Sequence, residues 1–215
     1  MIIEEMMKTD VHTLLPEATL ADSIETMRVH RIRHIPIVDA KRKVVGIITD
    51  RDIKEVSPSP FQTQPSAKLF TTKLKDIMKT PVITGHPLDF VEEVAVLFMD
   101  HRIGCLPIVS NDKLIGMITE TDLLYTLTQL TGVRQPGSQI EVKVPNRAGM
   151  LYEVAGIIRK NHSNIHSVLV YPYKKDDRYK ILVFRVQTMN PMTVIRDLRE
   201  EGHDVLWPNL PTHQL

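Results

Sequence analysis

The chain has 215 residues, 42% of them hydrophobic, and its 27 Lys and Arg against 26 Asp and Glu leave a formal net charge of +1. That length suits two modest domains, or three small motifs of which two share a core. The balanced charge lacks the basic field that non-specific nucleic-acid binding requires, so no nucleic-acid partner is expected. The longest apolar runs, such as residues 43–49, are far short of a membrane span. The acidic start Met1-Ile2-Ile3-Glu4-Glu5-Met6 shows no basic region ahead of an apolar core. A cytoplasmic protein without membrane contact is expected. The one cysteine, Cys105, excludes an intramolecular disulfide and a thiolate metal cage, fits a reducing compartment, and reads as a small buried hydrophobe.

Along the chain an internal repeat comes first. Met7-Lys8-Thr9-Asp10-Val11 returns as Met78-Lys79-Thr80-Pro81-Val82, an offset of 71. Pro16 returns as Pro87, His30-Arg31-Ile32 as His101-Arg102-Ile103, and Pro36-Ile37-Val38 as Pro107-Ile108-Val109. One loop residue near Lys43 reduces the offset to 70, where Gly46-Ile47-Ile48-Thr49-Asp50-Arg51-Asp52 meets Gly116-Met117-Ile118-Thr119-Glu120-Thr121-Asp122. Each copy reads as a short extended segment carrying Val11 or Val82, then an amphipathic helix (Leu20, Ile24 and Met27, or Val91, Val94, Ala95 and Phe98). A hairpin follows, Ile35 to Val38 with Val44 to Ile48, or Leu106 to Val109 with Leu114 to Ile118. A second helix begins after Thr49 or Thr119. One such β-α-β-β-α unit buries too little surface to stand alone, so the two are expected to pack together. The expected divisions are a first motif at 6–56, a Pro- and Ser-rich linker at 57–73, a second motif at 74–130, a linker at 131–138 and a last unit at 139–210.

In the last unit, Ile140, Val142 and Val144 alternate with polar residues as a half-buried strand, and Pro145 to Gly149 is a tight loop. Leu151, Val154, Ala155 and Ile158 share a helical face. Ile165 to Tyr171 and Tyr179 to Gln187 read as strands joined by a charged turn. Asn190-Pro191 is expected to open a second helix, with Asn as cap and Pro at its first position; Gly202 stops it, and His203 to Trp207 forms the last strand. The order is β-α-β-β-α-β, that of a ferredoxin-like sandwich.

Two sets of residues carry a resemblance. The paired Gly-apolar-apolar-Thr-x-x-Asp segments and apolar-Pro-apolar-Val strands resemble the tandem CBS motif pair, also called a Bateman module, over about Met6 to Leu127. The loop Asn146-Arg147-Ala148-Gly149, the helix after it and Asn164-Ile165 look like an ACT domain. The fold class is therefore α+β, a pseudo-twofold CBS pair followed by a ferredoxin-like ACT domain. The order CBS–CBS–ACT is similar to the acetoin utilization protein B (AcuB) family, which implies a role in growth on acetoin or butanediol.

The Thr-x-x-Asp spacing admits two readings. It is a capping box, in which Thr49 or Thr119 accepts from the backbone three residues on and Asp52 or Asp122 reaches back. It also places an acid and a hydroxyl at a helix start that suits phosphate. The CBS resemblance implies that the Asp holds ribose and the Thr touches phosphate, with Thr49 and Asp52 in one cleft and Thr119 and Asp122 in the other. The base would lie near Thr9, Val11 and Ile35, or near Thr80, Val82 and Leu106. Arg31, Arg33, His34, Arg51 and Arg102 are the cations within reach of phosphates, although Arg31 and Arg102, like His30 and His101, also complement the dipole of a helix end. Copy one has Arg33, His34 and Arg51 where copy two has Gly104, Cys105 and Thr121, so the first cleft is expected to take the more charged ligand. In the ACT-like unit the resemblance implies that Asn146, Gly149 and Asn164 grip an amino acid across a dimer interface, unless both Asn residues only cap turns. Here the loop carries Ala148 where the family usually has Pro, and Val144 is apolar.

No phosphate loop, nucleophile elbow, H-E-x-x-H or G-x-G-x-x-G occurs, and the nine histidines form no metal-ligand pattern. The expectation is a non-catalytic, homodimeric regulator with no required cofactor or metal, sensing AMP, ADP, ATP or S-adenosylmethionine. Its partner would be an enzyme of acetoin or acetate metabolism. The alternatives are a ligand-free dimeric scaffold and an amino-acid sensor acting through the ACT unit.

Overall fold

The computed structural model describes residues 1–56 and 70–208. Most of the segment read as the first linker, 57–69, lies outside the described residues, as do 209–215. The chain divides into two compact units, Met1–Leu124 and Tyr125–Leu215.

The first unit holds both repeats. Copy one contains α1 (Leu20–His30), β1 (His34–Val38), β2 (Val44–Thr49) and α2 (Asp50–Val56). Copy two contains α3 (Val91–His101), β3 (Cys105–Ser110), β4 (Lys113–Thr119) and α4 (Glu120–Leu130), the last crossing the boundary between the units. Both hairpins are antiparallel, β1 with β2 and β3 with β4. The first strand expected in each copy is reduced to isolated bridges, and within its own copy to one parallel bridge, Leu14 beside Ile37 and Gly85 beside Ile108. Pro36 and Pro107 explain this, because a proline has no N–H with which to extend the ladder past Leu14 or Gly85.

The extended segment that opens each copy crosses to the other one. Lys8 exchanges both backbone hydrogen bonds with Met117 of β4 (2.9 Å each), and Lys79 exchanges both with Ile47 of β2 (2.9 and 3.1 Å). The short helical turns just before them, Ile3–Glu5 and Leu74–Asp76, cross as well. Ile3 therefore belongs to the core of copy two, with Val94, Phe98, Leu106, Ile108 and Ile118. Leu74 belongs to the core of copy one, with Leu20, Met27, Ile35, Ile37 and Ile48. Gly46 and Gly116 admit the crossing chain, since a Cβ at either would run into Met78 or Met7. Helix α1 opens with a capping box of its own, which the sequence reading missed: Thr19 N donates to Asp22 Oδ2 (2.7 Å) and Asp22 N to Thr19 Oγ1 (3.2 Å).

The second unit runs β5 (Ser138–Pro145), α5 (Met150–Lys160), β6 (Ile165–Pro172), β7 (Tyr179–Val186), α6 (Met192–Glu200) and β8 (Asp204–Trp207). Its sheet order is β6-β7-β5-β8 with every pair antiparallel, and the element order is the expected β-α-β-β-α-β. Ile140, Val142 and Val144 pack with Leu182, Phe184 and Val186 against both helices. The start of α6 differs by one residue from the sequence reading. Pro191 is the cap residue, and Asn190 Oδ1 accepts from Met192 N (3.2 Å). Gly149, at φ +90°, takes the left-handed conformation that lets the chain turn sharply into α5.

The crossing makes a residue near the start of the chain part of a core it would not reach by sequence proximity. Ile3→Ala is expected to lower stability by about 2–5 kcal/mol, as much as Leu74→Ala at the equivalent place. Urea denaturation of the two variants checks this; an Ile3→Ala loss below roughly 0.5 kcal/mol would mean that the first turn is not integral to the fold.

Candidate functional site

Two cavities open in the first unit, and each is built from both copies. Cavity 1, about 710 Å³, is lined by Thr49 and Arg51 at the start of α2, Pro81 and Val82 of the segment crossing from copy two, Arg102 at the end of α3, and Gly104 and Cys105 at the start of β3. Lys79, Arg33, His34 and Thr121 also line it. Cavity 2, about 210 Å³, has the related arrangement: Lys8, Asp10 and Val11 from the crossing segment of copy one, Arg31 at the end of α1, and Thr119 and Thr121 at the start of α4. Arg33, His34 and Thr121 line both cavities.

This partition corrects the sequence-based grouping. Arg33, His34 and Arg51 were set against Gly104, Cys105 and Thr121 as alternatives in separate clefts, whereas all six line cavity 1. Likewise Val82 shares a cavity with Thr49, and Val11 with Thr119, because the opening segments cross. Ile35 and Leu106 line neither cavity; both are fully buried in the two cores. Thr9 and Thr80 are exposed one residue away from lining positions. Arg31 and Arg102 end their helices in the left-handed conformation, each at φ 52°.

The two acids sit just behind the cavity walls, in capping boxes. Thr49 donates to Asp52 Oδ2 from its N–H (2.8 Å) and its hydroxyl (2.6 Å), and Asp52 N donates back to Thr49 Oγ1 (3.3 Å). Thr119 and Asp122 repeat this at 2.9, 2.6 and 3.3 Å. The capping reading of the spacing is therefore realised in full. The first N–H of each helix is also engaged, Asp50 N by Arg33 O (3.0 Å) and Glu120 N by Gly104 O (3.2 Å).

The remaining oxygen of each acid meets a lysine from the crossing segment. Lys79 Nζ lies 2.7 Å from Asp52 Oδ1, and Lys8 Nζ 3.0 Å from Asp122 Oδ1. The side chains of Asp52 and Lys79 are 5% and 58% exposed, so the pair reaches from the protein interior to solvent. Neither lysine was singled out in the sequence. The signal was the repeated Met-Lys-Thr at offset 71, which puts the same cation in both copies.

Burial opposes the charge on Asp52, but the bonds from Lys79 and Thr49 outweigh it and hold the carboxyl below its ordinary value of 3.8. The same contact raises Lys79. Burial and then Arg33 push His34 below 6.5, so its ring tends to stay neutral. Burial, with Asp52 and Glu120 nearby, pushes the Cys105 thiol up to about 12, which suits an inert thiol. Among the described residues no group of three or more His, Cys, Asp or Glu is placed to hold a metal ion. No described helix is long and apolar enough to cross a membrane.

Asn146 and Asn164 lie at opposite ends of the second unit's sheet. Asn146 follows Pro145, which pairs with Tyr179, while Asn164 precedes Ile165, which pairs with Val186 at the other end of β7. Both are exposed; Asn146 Nδ2 donates to Asp177 O in the turn before β7 (3.3 Å), and Asn164 Oδ1 accepts from Ile165 N (3.0 Å).

The CBS domain model matches residues 3–59 and 74–128, more than half of the chain. The chain belongs to the CBS-domain family. It is 31% identical over 134 residues to a CBS domain-containing protein of Dictyostelium discoideum, a match covering 60% of this chain and 92% of that one. A candidate acetoin utilization protein (AcuB) from Vibrio cholerae superposes at a TM-score of 0.55 and 36% identity, covering 63% of this chain and 96% of the other. The CBS domain pair of protein MJ0100, in complex with 5′-methylthioadenosine and S-adenosyl-L-methionine, superposes at 0.51 and 25% identity over 59% of this chain and 99% of that one.

The depressed Asp52 value sets a direction for acid stability. The stabilisation from this carboxylate is present above its ordinary value of 3.8 and is lost as pH falls through the lower folded value. Lys79→Met leaves burial opposed only by Thr49, so the folded value rises and acid unfolding begins at higher pH. At neutral pH the variant should lose about 1–3 kcal/mol. Acid titration followed by circular dichroism tests this, with Lys54→Met, which breaks an exposed pair with Asp50, as the control expected to leave the midpoint in place.

Proposed function

We propose that the chain is a non-catalytic regulator whose CBS pair takes up an adenine nucleotide or a related adenosyl compound. The observation that carries this is cavity 1. At about 710 Å³ it lies within the range of roughly 300–1,000 Å³ usual for small-molecule sites, and it holds Arg33, Arg51, Lys79 and Arg102 for an anionic group. In this reading ribose hydroxyls bond to Asp52 Oδ1, Thr49 lies near the phosphate, and the base rests against Pro81 and Val82. Cavity 2, about 210 Å³, is either empty or takes a smaller or less charged ligand at Thr119 and Asp122. The adenosyl compounds bound to the MJ0100 pair support the ligand class.

The likeness to the Vibrio cholerae protein supports a place in acetoin or butanediol utilization, with an enzyme of acetoin or acetate metabolism as the regulated partner. The second unit is read as an ACT domain, on its β-α-β-β-α-β order and its loop Asn146 to Gly149. It is proposed to self-associate in a cytoplasmic homodimer, which the exposed Leu169, Val170 and Tyr171 on edge strand β6 support. An amino-acid site using both Asn146 and Asn164 would need two copies of the chain, since one copy holds them at opposite ends of its sheet.

A second reading has an observation of its own. Asp52 and Asp122 are already engaged by their threonines and lysines, as they would be in a ligand-free scaffold. Thermal melting with AMP, ADP, ATP, S-adenosylmethionine and amino acids separates the two. A ligand at 100 times its Kd contributes about 2.7 kcal/mol, which raises the midpoint by roughly 5–10 °C. Asp52→Ala and Asp122→Ala should each remove part of the response. An unchanged midpoint with every adenosyl compound at millimolar concentration selects the scaffold.

A further inference from the structure

Lys79 occupies a position that helix capping does not require. Thr19 and Asp22 close the same box at α1 with no lysine within ion-pair distance of Asp22 among the described residues. At Asp52 the lysine is an addition, delivered by the segment that crosses from copy two and pairs with Ile47. It stands in unfavourable company. Arg33, Arg51 and Arg102 line the same cavity with Asp50, which pairs with Lys54, and Glu120, and none of the three guanidiniums has a carboxylate within ion-pair distance among the described residues. Arg51 opposes the charge on Lys79, and Asp52, at 2.7 Å, is the counter-charge that holds it there. Thr49 donates to Oδ2, which leaves Oδ1, the oxygen that Lys79 meets, as the one for a sugar hydroxyl.

A carboxylate oxygen can accept from two donors, but Oδ1 is itself buried, so a sugar hydroxyl that reaches it has to move aside the cation beside it, Lys79. Resting on the reading that ribose bonds to Asp52, we propose that Lys79 exchanges partners: it neutralises Asp52 in the empty cavity and passes to the ligand's anionic group when ribose takes its place. Cavity 1 then selects adenosyl compounds with a phosphate. A neutral nucleoside displaces the cation and gives it no new partner. S-adenosylmethionine offers only the single carboxylate of its methionyl arm, and its sulfonium and ammonium bring two further positive charges beside the cations already there. The long, exposed side chain of Lys79 gives it the freedom to move, whereas the three guanidiniums serve the phosphate without having blocked the sugar.

The test is isothermal titration of adenosine, AMP and S-adenosylmethionine into the full chain carrying Asp122→Asn, which removes the acid of cavity 2. With Lys79 present, AMP should bind at least about tenfold tighter than adenosine. Lys79→Met should reduce that ratio by about tenfold, through weaker AMP binding with adenosine unchanged or tighter, and Lys79→Arg should keep it within about threefold. Lys79→Gln, which retains a donor for Asp52, carries the measurement if Lys79→Met does not fold. Equal weakening of adenosine and AMP would give Lys79 a merely structural role, and an unmoved ratio would exclude it from selection; either result overturns the exchange alone. If neither these three compounds nor ADP or ATP binds with Lys79 in place, the functional reading fails, and the exchange with it.

Discussion

The backbone pairing of Lys79 with Ile47, and of Lys8 with Met117, is the constraint on which the rest of the first unit depends. Each hairpin would otherwise present a bare outer edge of unpaired N–H and C=O groups. The chain from the opposite copy covers that edge and delivers a large apolar residue a few positions earlier, Ile3 into one core and Leu74 into the other. Neither copy can complete its sheet or its core alone. The two form one cooperative unit, even though each reads as a self-contained motif in the sequence.

The same exchange decides what the cavities are made of. A crossing segment forms one wall of each, the start of a second helix forms another, and the end of a first helix from the opposite copy closes it. Divergence between the copies then acts unevenly. Arg33 and Gly104 are equivalent by descent from the repeat, as are His34 and Cys105, and Arg51 and Thr121. Because the copies interlock, these residues meet in cavity 1 and do not divide between two separate clefts. Arg33, His34 and Thr121 also form a wall common to both cavities, so the two share part of one charge environment. The asymmetry of the site is therefore set by which residues changed after duplication, within a backbone that remained nearly symmetric.

Much of the fold was legible because it is local. The spacing of Leu20, Ile24 and Met27, the two hairpins with their polar turns, and the alternation of Ile140, Val142 and Val144 each declare an element within a dozen residues. The capping boxes at Thr49 and Thr119 were legible for the same reason. The crossing was not, since a constant offset shows which residues correspond and is silent on which copy each one packs against. Lys8 and Lys79 were in view as part of the repeat, yet their role depends on a partner more than 25 residues away in sequence. The first strand of each copy was overestimated because Pro36 and Pro107 act on a neighbouring segment and not on their own. Asn146 and Asn164 were matched to a site shared across a dimer interface, and the sheet order places them at its two ends within one copy.

Asp52 carries two tasks on two oxygens, and their separation matters for regulation. Oδ2 belongs to the helix start through Thr49, while Oδ1 faces a cation on a long, exposed side chain. A sugar hydroxyl that replaces the lysine at Oδ1 leaves the cap untouched, so ligand uptake need not unwind α2. What changes is the position of Lys79, whose backbone is fastened to β2 and whose chain continues directly into the wall at Pro81 and Val82. A charge leaving Asp52 thus acts on the segment that ties copy two to copy one. In the proposed exchange, ligand occupancy and the contact between the two halves of the pair would be joined through one residue, which is the kind of coupling a regulatory module requires and a passive scaffold does not.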